Sequence, residues 1–168
     1  MKLLAIDTST DACSAALWLD GEVRQRYQVA PREHGQLILP MIEALLAEAG
    51  LALTQLDTLA FGRGPGGFTG VRIANSVIQG LAFGADLPVV PISSLAALAQ
   101  GVYVEMGAPQ VLAAIDARIG EVYWGAYLAV ENGGLGALVD KEIVCAPEDV
   151  PLPLADDVGD WFGAGNGW

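Results

Sequence analysis

Apolar and polar positions change period several times along the chain, and each change marks an element. Leu3 to Ile6 is a short continuous apolar run closed by Asp7-Thr8-Ser9-Thr10, small side chains that accept hydrogen bonds in a tight turn. Cys13 to Leu19 is apolar and partly alternating, Asp20-Gly21 is a strong hairpin signal, and Glu22 to Val29 alternates until Pro31. The chain is therefore predicted to open with three strands in meander order.

From Glu33 to Ala49 the period becomes helical. Leu37, Met41 and Leu45 form one stripe, Ile38, Ile42 and Ala49 an adjacent one, and Gly50 supplies a C-terminal cap. Pro40 removes a backbone donor and should bend the first turns. Leu56 to Phe61 reads as a strand, Gly62 to Gly67 as a glycine-rich loop, and Thr69 as the N-cap of a second helix ending near Gly84. Its inner stripe is Ile73, Val77 and Leu81, flanked by the small residues Ala74, Ser76, Gly80 and Gly84.

A strand at Pro88–Ile92, a helix from Ser94 to about Val104, and strands at Val111–Ala117, Glu121–Val130 and Ala137–Val144 follow, with a turn at Glu131–Gly136. Ala146–Asp160 reads as an irregular crossing segment, and Trp161–Trp168 as a strand entering a glycine turn. The pattern is α/β, a mixed sheet with helices packed on it. It suggests an N-terminal lobe over residues 1–105 and the start of a second over 106–168, one that looks incomplete.

Composition narrows the function. Eight Lys and Arg against twenty Asp and Glu give a net charge of −12, which argues against autonomous binding to nucleic acid. The acids concentrate from Glu131 to Asp160, whereas Arg24, Arg26 and Arg32 cluster early. Cys13 and Cys145 both sit in apolar surroundings and read as buried thiols of a reducing compartment. The N-terminus enters a strand without a signal peptide's pattern, and no apolar run reaches the roughly 18 residues of a membrane span, so a cytoplasmic protein is expected.

Candidate chemistry is sparse. Gly62–Thr69 invites comparison with a phosphate cradle but has no Lys before Thr69, so it reads as a turn that seats the second helix. Asp7 could hold a hydrated Mg²⁺, with Thr8, Ser9 and Thr10 facing phosphates, but no second phosphate loop accompanies it. His34 is the only histidine, which leaves neither a multi-histidine metal site nor a triad, and it reads as a helix-start residue bonding locally. Asp116, Arg118 and Glu121 read as a surface ion-pair cluster at a hairpin.

Four segments together resemble the TsaB (YeaZ) family, the bacterial paralogues of the TsaD (Gcp-like) proteins. They are Leu4-Ala5-Ile6-Asp7-Thr8-Ser9; Arg32-x-His34 with Leu39-Pro40; Gly64-Pro65-Gly66-Gly67-Phe68-Thr69-Gly70-Val71-Arg72; and Asp116-Ala-Arg118-x-Gly120-Glu121-Val122-Tyr123. The likeness runs from Met1 to about Val130; family members commonly carry Ser at the position of Gly67. It implies an actin-like ATPase (ribonuclease H-like) fold of two lobes. It also implies a role in making N6-threonylcarbamoyladenosine beside the anticodon of tRNA. TsaD performs the transfer; TsaB is a catalytically silent partner that also self-associates; TsaE, an ATPase, joins them; tRNA is met only indirectly. In TsaD-like enzymes a His-x-x-x-His pair holds the metal where this chain carries Ser94 and Leu98, and leucine cannot be a ligand.

No catalytic residue, cofactor or metal site is therefore expected, and Asp7, Thr8 and Thr10 are read as a degenerate nucleotide turn. The rival reading is an enzyme of the superfamily, a glycoprotease-like peptidase or a nucleotide-binding ATPase. In the family the two long helices pack against the same two of TsaD. Both helices here are apolar over more than one face, and the expected contact residues are Leu37, Met41, Leu45, Ile73, Val77 and Leu81.

Overall fold

β1 (Lys2–Asp7) lies at the centre of a five-stranded sheet in the order β3-β2-β1-β4-β5. In the computed structural model the described residues are 1–130, 137–153 and 160–168. The turn expected at 131–136 and residues 154–159 of the expected crossing segment lie outside them. β2 (Ala12–Leu19) and β3 (Glu22–Val29) complete the meander antiparallel to one another, with Lys2 opposite Leu19 and Leu19 opposite Glu22. The turn between β2 and β3 is made by Asp20 and Gly21 at φ 49° and 103°, the left-handed pair that a two-residue hairpin requires.

Because side chains alternate across a strand, Leu4, Ile6, Cys13, Ala15 and Leu17 point to one face, and that face is buried. α1 (His34–Ala49) and α2 (Phe68–Ala85) share the same core through Ile38, Ile42, Leu45, Leu46, Ala74 and Ile78. β4 (Thr58–Gly64) runs parallel to β1, and β5 (Val89–Ser93) follows α2 at the sheet edge. A 3₁₀ turn at Leu53–Gln55 delays β4 by two residues relative to the sequence expectation. α2 begins at Phe68 with Gly67 as its N-cap, so Thr69, the expected cap, lies inside the first turn. Gly50 caps α1 in the left-handed region, as read.

β3 is an edge strand exposed on both faces, with Val23, Tyr27 and Val29 each more than 60% exposed on one of them. On the other, Arg24 donates to the Glu48 carbonyl and Arg26 pairs with the Glu48 carboxylate. The early arginines thus meet the C-terminal turn of α1, where the helix dipole favours cations.

The chain divides into two compact units, Met1–Ile92 and Ser93–Trp168. α3 (Ser94–Met106) packs Leu95, Ala96 and Ala99 against β6 (Gln110–Arg118) and β7 (Glu121–Leu128), so it falls in this unit, where the sequence reading had placed it in the first lobe. The other face of that sheet buries Leu112, Ala114 and Trp124. This two-sided burial is why Val111–Ala114 reads as an unbroken apolar run. β10 (Phe162–Ala164) pairs parallel to β6.

The single strand expected at 137–144 is two short ones, β8 (Ala137–Leu138) and β9 (Ile143–Cys145), both paired to β7. The polar triplet Asp140-Lys141-Glu142 separates them, and the Glu142 carboxylate accepts the Tyr127 hydroxyl at 2.7 Å.

Two outcomes follow from the packing. Ile78→Ala, at a site 1% exposed, should lower unfolding stability by about 2–5 kcal/mol in urea titrations. Burial raises the Cys13 thiol pKa, and the nearby Asp7 charge adds to it. Burial and the nearby Asp149 and Glu121 raise the Cys145 thiol as well, so access decides: Cys13 is fully buried and Cys145 only partly, and at about pH 8 iodoacetamide should label Cys145 in the native protein and leave Cys13 until urea unfolds it, as read by peptide mass.

Candidate functional site

Asp7 ends β1, and the backbone then turns so that the Ser9 amide and the Ser9 hydroxyl both donate to Asp7 Oδ1 at 2.7 Å. The other carboxylate oxygen lies against Gly62, where a Cβ would overlap it. Thr8 is fully buried and its hydroxyl donates to the Gly70 carbonyl at 2.6 Å. The Ser9 carbonyl accepts the Gly67 amide at 2.7 Å, and the Thr10 hydroxyl accepts the Ala12 amide. The Asp7 carboxylate and the Thr8 and Thr10 hydroxyls of this turn all bond within the protein. A phosphate would have to displace these bonds.

The loop between β4 and α2 holds the turn shut. Gly70 in the first turn of α2 passes so close to the Thr8 carbonyl that any side chain there would overlap it. Glycine is needed at this point for its missing Cβ, which lets two backbones touch. The loop therefore does seat α2, and it does so by docking on β1. His34 joins the same knot from α1: its Nε2 lies 2.9 Å from the Thr10 carbonyl, a contact across 24 residues where the sequence suggested a local one.

The second unit repeats the plan. β6 pairs antiparallel with the next strand and parallel with a later one, as β1 does. Asp116 Oδ1 accepts the amide two residues on, from Arg118, as Asp7 does from Ser9. Asp116 thus holds the Arg118 backbone, where the sequence suggested an ion pair. The glycine-rich segment Gly163–Gly167 lies against the end of β6: the Gly167 amide donates to Ala114, and Gly165 has no room for a Cβ. In this repeat the segment stands to β6 and β10 as the loop after β4 stands to β1 and β4. Its spacing, Gly163-Ala-Gly165-Asn-Gly167, was the available signal. Ser94 is buried and Leu98 packs against the core of this unit. Among the described residues, no group of three His, Cys, Asp or Glu could hold a metal.

The expected contact helices divide. Ile38, Ile42 and Leu45 face the core, and Leu45 is 1% exposed, so it leaves the list of outward residues. The reason is helical pitch: each four-residue step overshoots a full turn by about 40°, so the stripe from Leu37 through Met41 rotates inward by Leu45. Leu37, Met41, Ile73, Val77 and Leu81 are half-buried, touching the core while keeping an outer side. On α2 a groove of ≈ 330 Å³ is lined by Phe68, Thr69, Arg72, Ile73, Ser76 and Val77. Phe68 and Arg72 were not anticipated. Phe68 is 73% exposed, and Arg72 lies over its ring at 3.4 Å while donating to its carbonyl at 3.0 Å. An exposed aromatic beside the only charged residue of α2 was the clue in the sequence.

Residues 27–149 match the family described as TsaD, tRNA N6-adenosine threonylcarbamoyltransferase. The tRNA threonylcarbamoyladenosine biosynthesis protein TsaB of Escherichia coli strain K12 is 50% identical over 168 residues, which is 100% of this chain and 72% of that protein. TsaB of Haemophilus influenzae is 48% identical over 174 residues, covering 100% and 73%. The YeaZ structure from Pseudomonas aeruginosa superposes with a TM-score of 0.93 at 55% identity, over 99% of this chain and 76% of that one. A second Pseudomonas aeruginosa structure, described as an uncharacterized protein with similarity to peptidase YEAZ, superposes with a TM-score of 0.94 at 54% identity, covering 99% and 76%. The mixed sheets, the helices on them and these likenesses define an actin-like, ribonuclease H-like α/β fold, and the chain belongs to the TsaB (YeaZ) family of tRNA threonylcarbamoyladenosine biosynthesis proteins.

Proposed function

We propose that this chain is a non-catalytic partner subunit that binds and activates TsaD in forming N6-threonylcarbamoyladenosine next to the tRNA anticodon. The observation that carries this reading is the outer side of α1 and α2, where half-buried Leu37, Met41, Ile73, Val77 and Leu81 adjoin an open groove floored by Ile73 and Val77. An apolar strip of this kind beside polar residues is the usual mark of a protein interface. The nucleotide-type turn supports catalytic silence, because Thr8 and Ser9 are buried and hydrogen-bonded within the protein.

TsaE joins the assembly in this reading, and self-association through the same helices competes with TsaD. Contact with tRNA runs through the partner, in keeping with the charge of −12. No helix among the described residues is long and apolar enough to cross a membrane. A cytoplasmic place, where tRNA is modified, belongs to the same proposal.

Val77→Asp and Ser76→Arg should each abolish co-elution with TsaD while circular dichroism stays unchanged; Ser76 is exposed in the groove, so its replacement tests the surface without touching the core. Retained co-elution in both would reject the helix-face interface. Calorimetry with ATP and Mg²⁺ addresses the enzyme reading: micromolar binding that Asp7→Ala removes would reinstate a nucleotide role.

Gly70→Ala should cost about 1–3 kcal/mol of stability, because the new methyl must push α2 off the Thr8 carbonyl. It should also weaken TsaD binding more than Gly80→Ala, a position on the same helix with open space around it.

A further inference from the structure

Asn166-Gly167 is a chemically reactive pair. A glycine after asparagine puts no Cβ in the way when its backbone nitrogen approaches the side-chain carbonyl carbon of the asparagine. In this fold both reacting groups are engaged. The Gly167 amide donates to the Ala114 carbonyl at 3.0 Å, and Asn166 Oδ1 accepts the Asp116 amide at 3.1 Å. Gly167 also lies hard against the backbone of Ala114 and Ile115, whereas Asn166 is exposed, so water and base can reach its side chain.

The segment that carries the pair is fastened on both sides of it. Before the pair, β10 is paired to β6, and Gly165, at φ 101°, passes so close to the Ala114 carbonyl that a Cβ would overlap it. After it, Trp168 meets the buried Trp124 edge to face with ring centroids 5.6 Å apart, and its Nε1 donates to the Ala164 carbonyl at 3.0 Å. These contacts lie within the second unit, and together they hold the Gly167 amide on β6.

We propose that Asn166-Gly167 is a deamidation site gated by the docking of residues 163–168 on β6. When the segment opens, the Gly167 nitrogen gives up its proton to solvent base and attacks Asn166 Cγ. The bond from Cγ to the side-chain nitrogen breaks, ammonia leaves with a proton from water, and a five-membered succinimide remains. Water then adds to one of its two carbonyls and opens the ring to aspartate or isoaspartate; nothing is oxidised or reduced. While the segment is docked, the amide proton is committed to Ala114, and it becomes available only through local opening, as in hydrogen exchange. Either product places a second carboxylate in the turn of Asp116, and isoaspartate lengthens the backbone before Gly167, so the segment cannot return to its place. The site thus records opening in one direction.

The test incubates the whole chain at mildly alkaline pH, folded and in guanidinium chloride, and follows aspartate and isoaspartate at residue 166 by peptide mass and isoaspartyl methylation. Asn132-Gly133, the same pair elsewhere in the sequence, calibrates the unfolded rate. In denaturant the two sites should react alike, and Asn166 in the folded chain should react about tenfold or more slowly than in denaturant. Gly165→Ala, which pushes the segment off Ala114, and Trp168→Ala, which removes its contact with Trp124, should each move the folded-state rate toward the denatured one. Reaction of folded Asn166 at the denatured rate or faster overturns the proposal. An unchanged folded-state rate in both variants also overturns it, since the pair would then react without opening. The comparison of folded with unfolded wild type stands even if a variant fails to fold.

Discussion

The close approach of Gly70 to the Thr8 carbonyl organises the first unit. It brings the first turn of α2 into backbone contact with the end of β1, and the Thr8 hydroxyl and Gly67 amide tie the same two segments together. A contact between backbones leaves less room for adjustment than one between side chains, so the start of α2 is set by the sheet. α1 is drawn to the same point by His34, and the two helices then bury one side of each against Leu4, Ile6 and Leu17. Their outer sides are left only partly covered.

The same geometry sets the hydrogen bonding of the turn after β1. In a nucleotide site, amides and hydroxyls at the end of the first strand face outward toward phosphate. Here the Ser9 amide and hydroxyl donate to Asp7, the Thr8 hydroxyl donates to Gly70, and the Gly67 amide donates to the Ser9 carbonyl. The second unit shows the same economy, with Asp116 holding the Arg118 amide and Asn166 accepting from the Asp116 amide at 3.1 Å. Both turns act as joints between a central strand and its parallel neighbour.

Charge is arranged with similar restraint. The chain carries a large excess of acid, yet its cations near the helices have specific positions. Arg24 and Arg26 meet the C-terminal turn of α1, where the helix dipole is negative. Arg72 sits over the Phe68 ring and donates to the Phe68 carbonyl.

Strand and helix order, the Asp20-Gly21 hairpin and the Gly50 cap were legible in the sequence, because periodicity and turn chemistry are local properties that each segment carries by itself. The family likeness was legible too, in short motifs whose spacing survives. The sheet against which residues 94–105 pack was not legible, because a helix's partner sheet is a long-range choice, made here by Leu95 and Ala99. Which members of the Leu37-Met41-Leu45 stripe turn inward was not legible, because a stripe of four-residue steps winds around its helix, and only packing shows that Leu45 passes under the core. The closed turn, the second glycine segment and the Arg72-Phe68 lip all join residues through space, at separations no local pattern encodes. The sequence determined which elements form and to which family they belong; the tertiary structure alone decided which helix sides stay open, since burial is settled by what the rest of the chain covers.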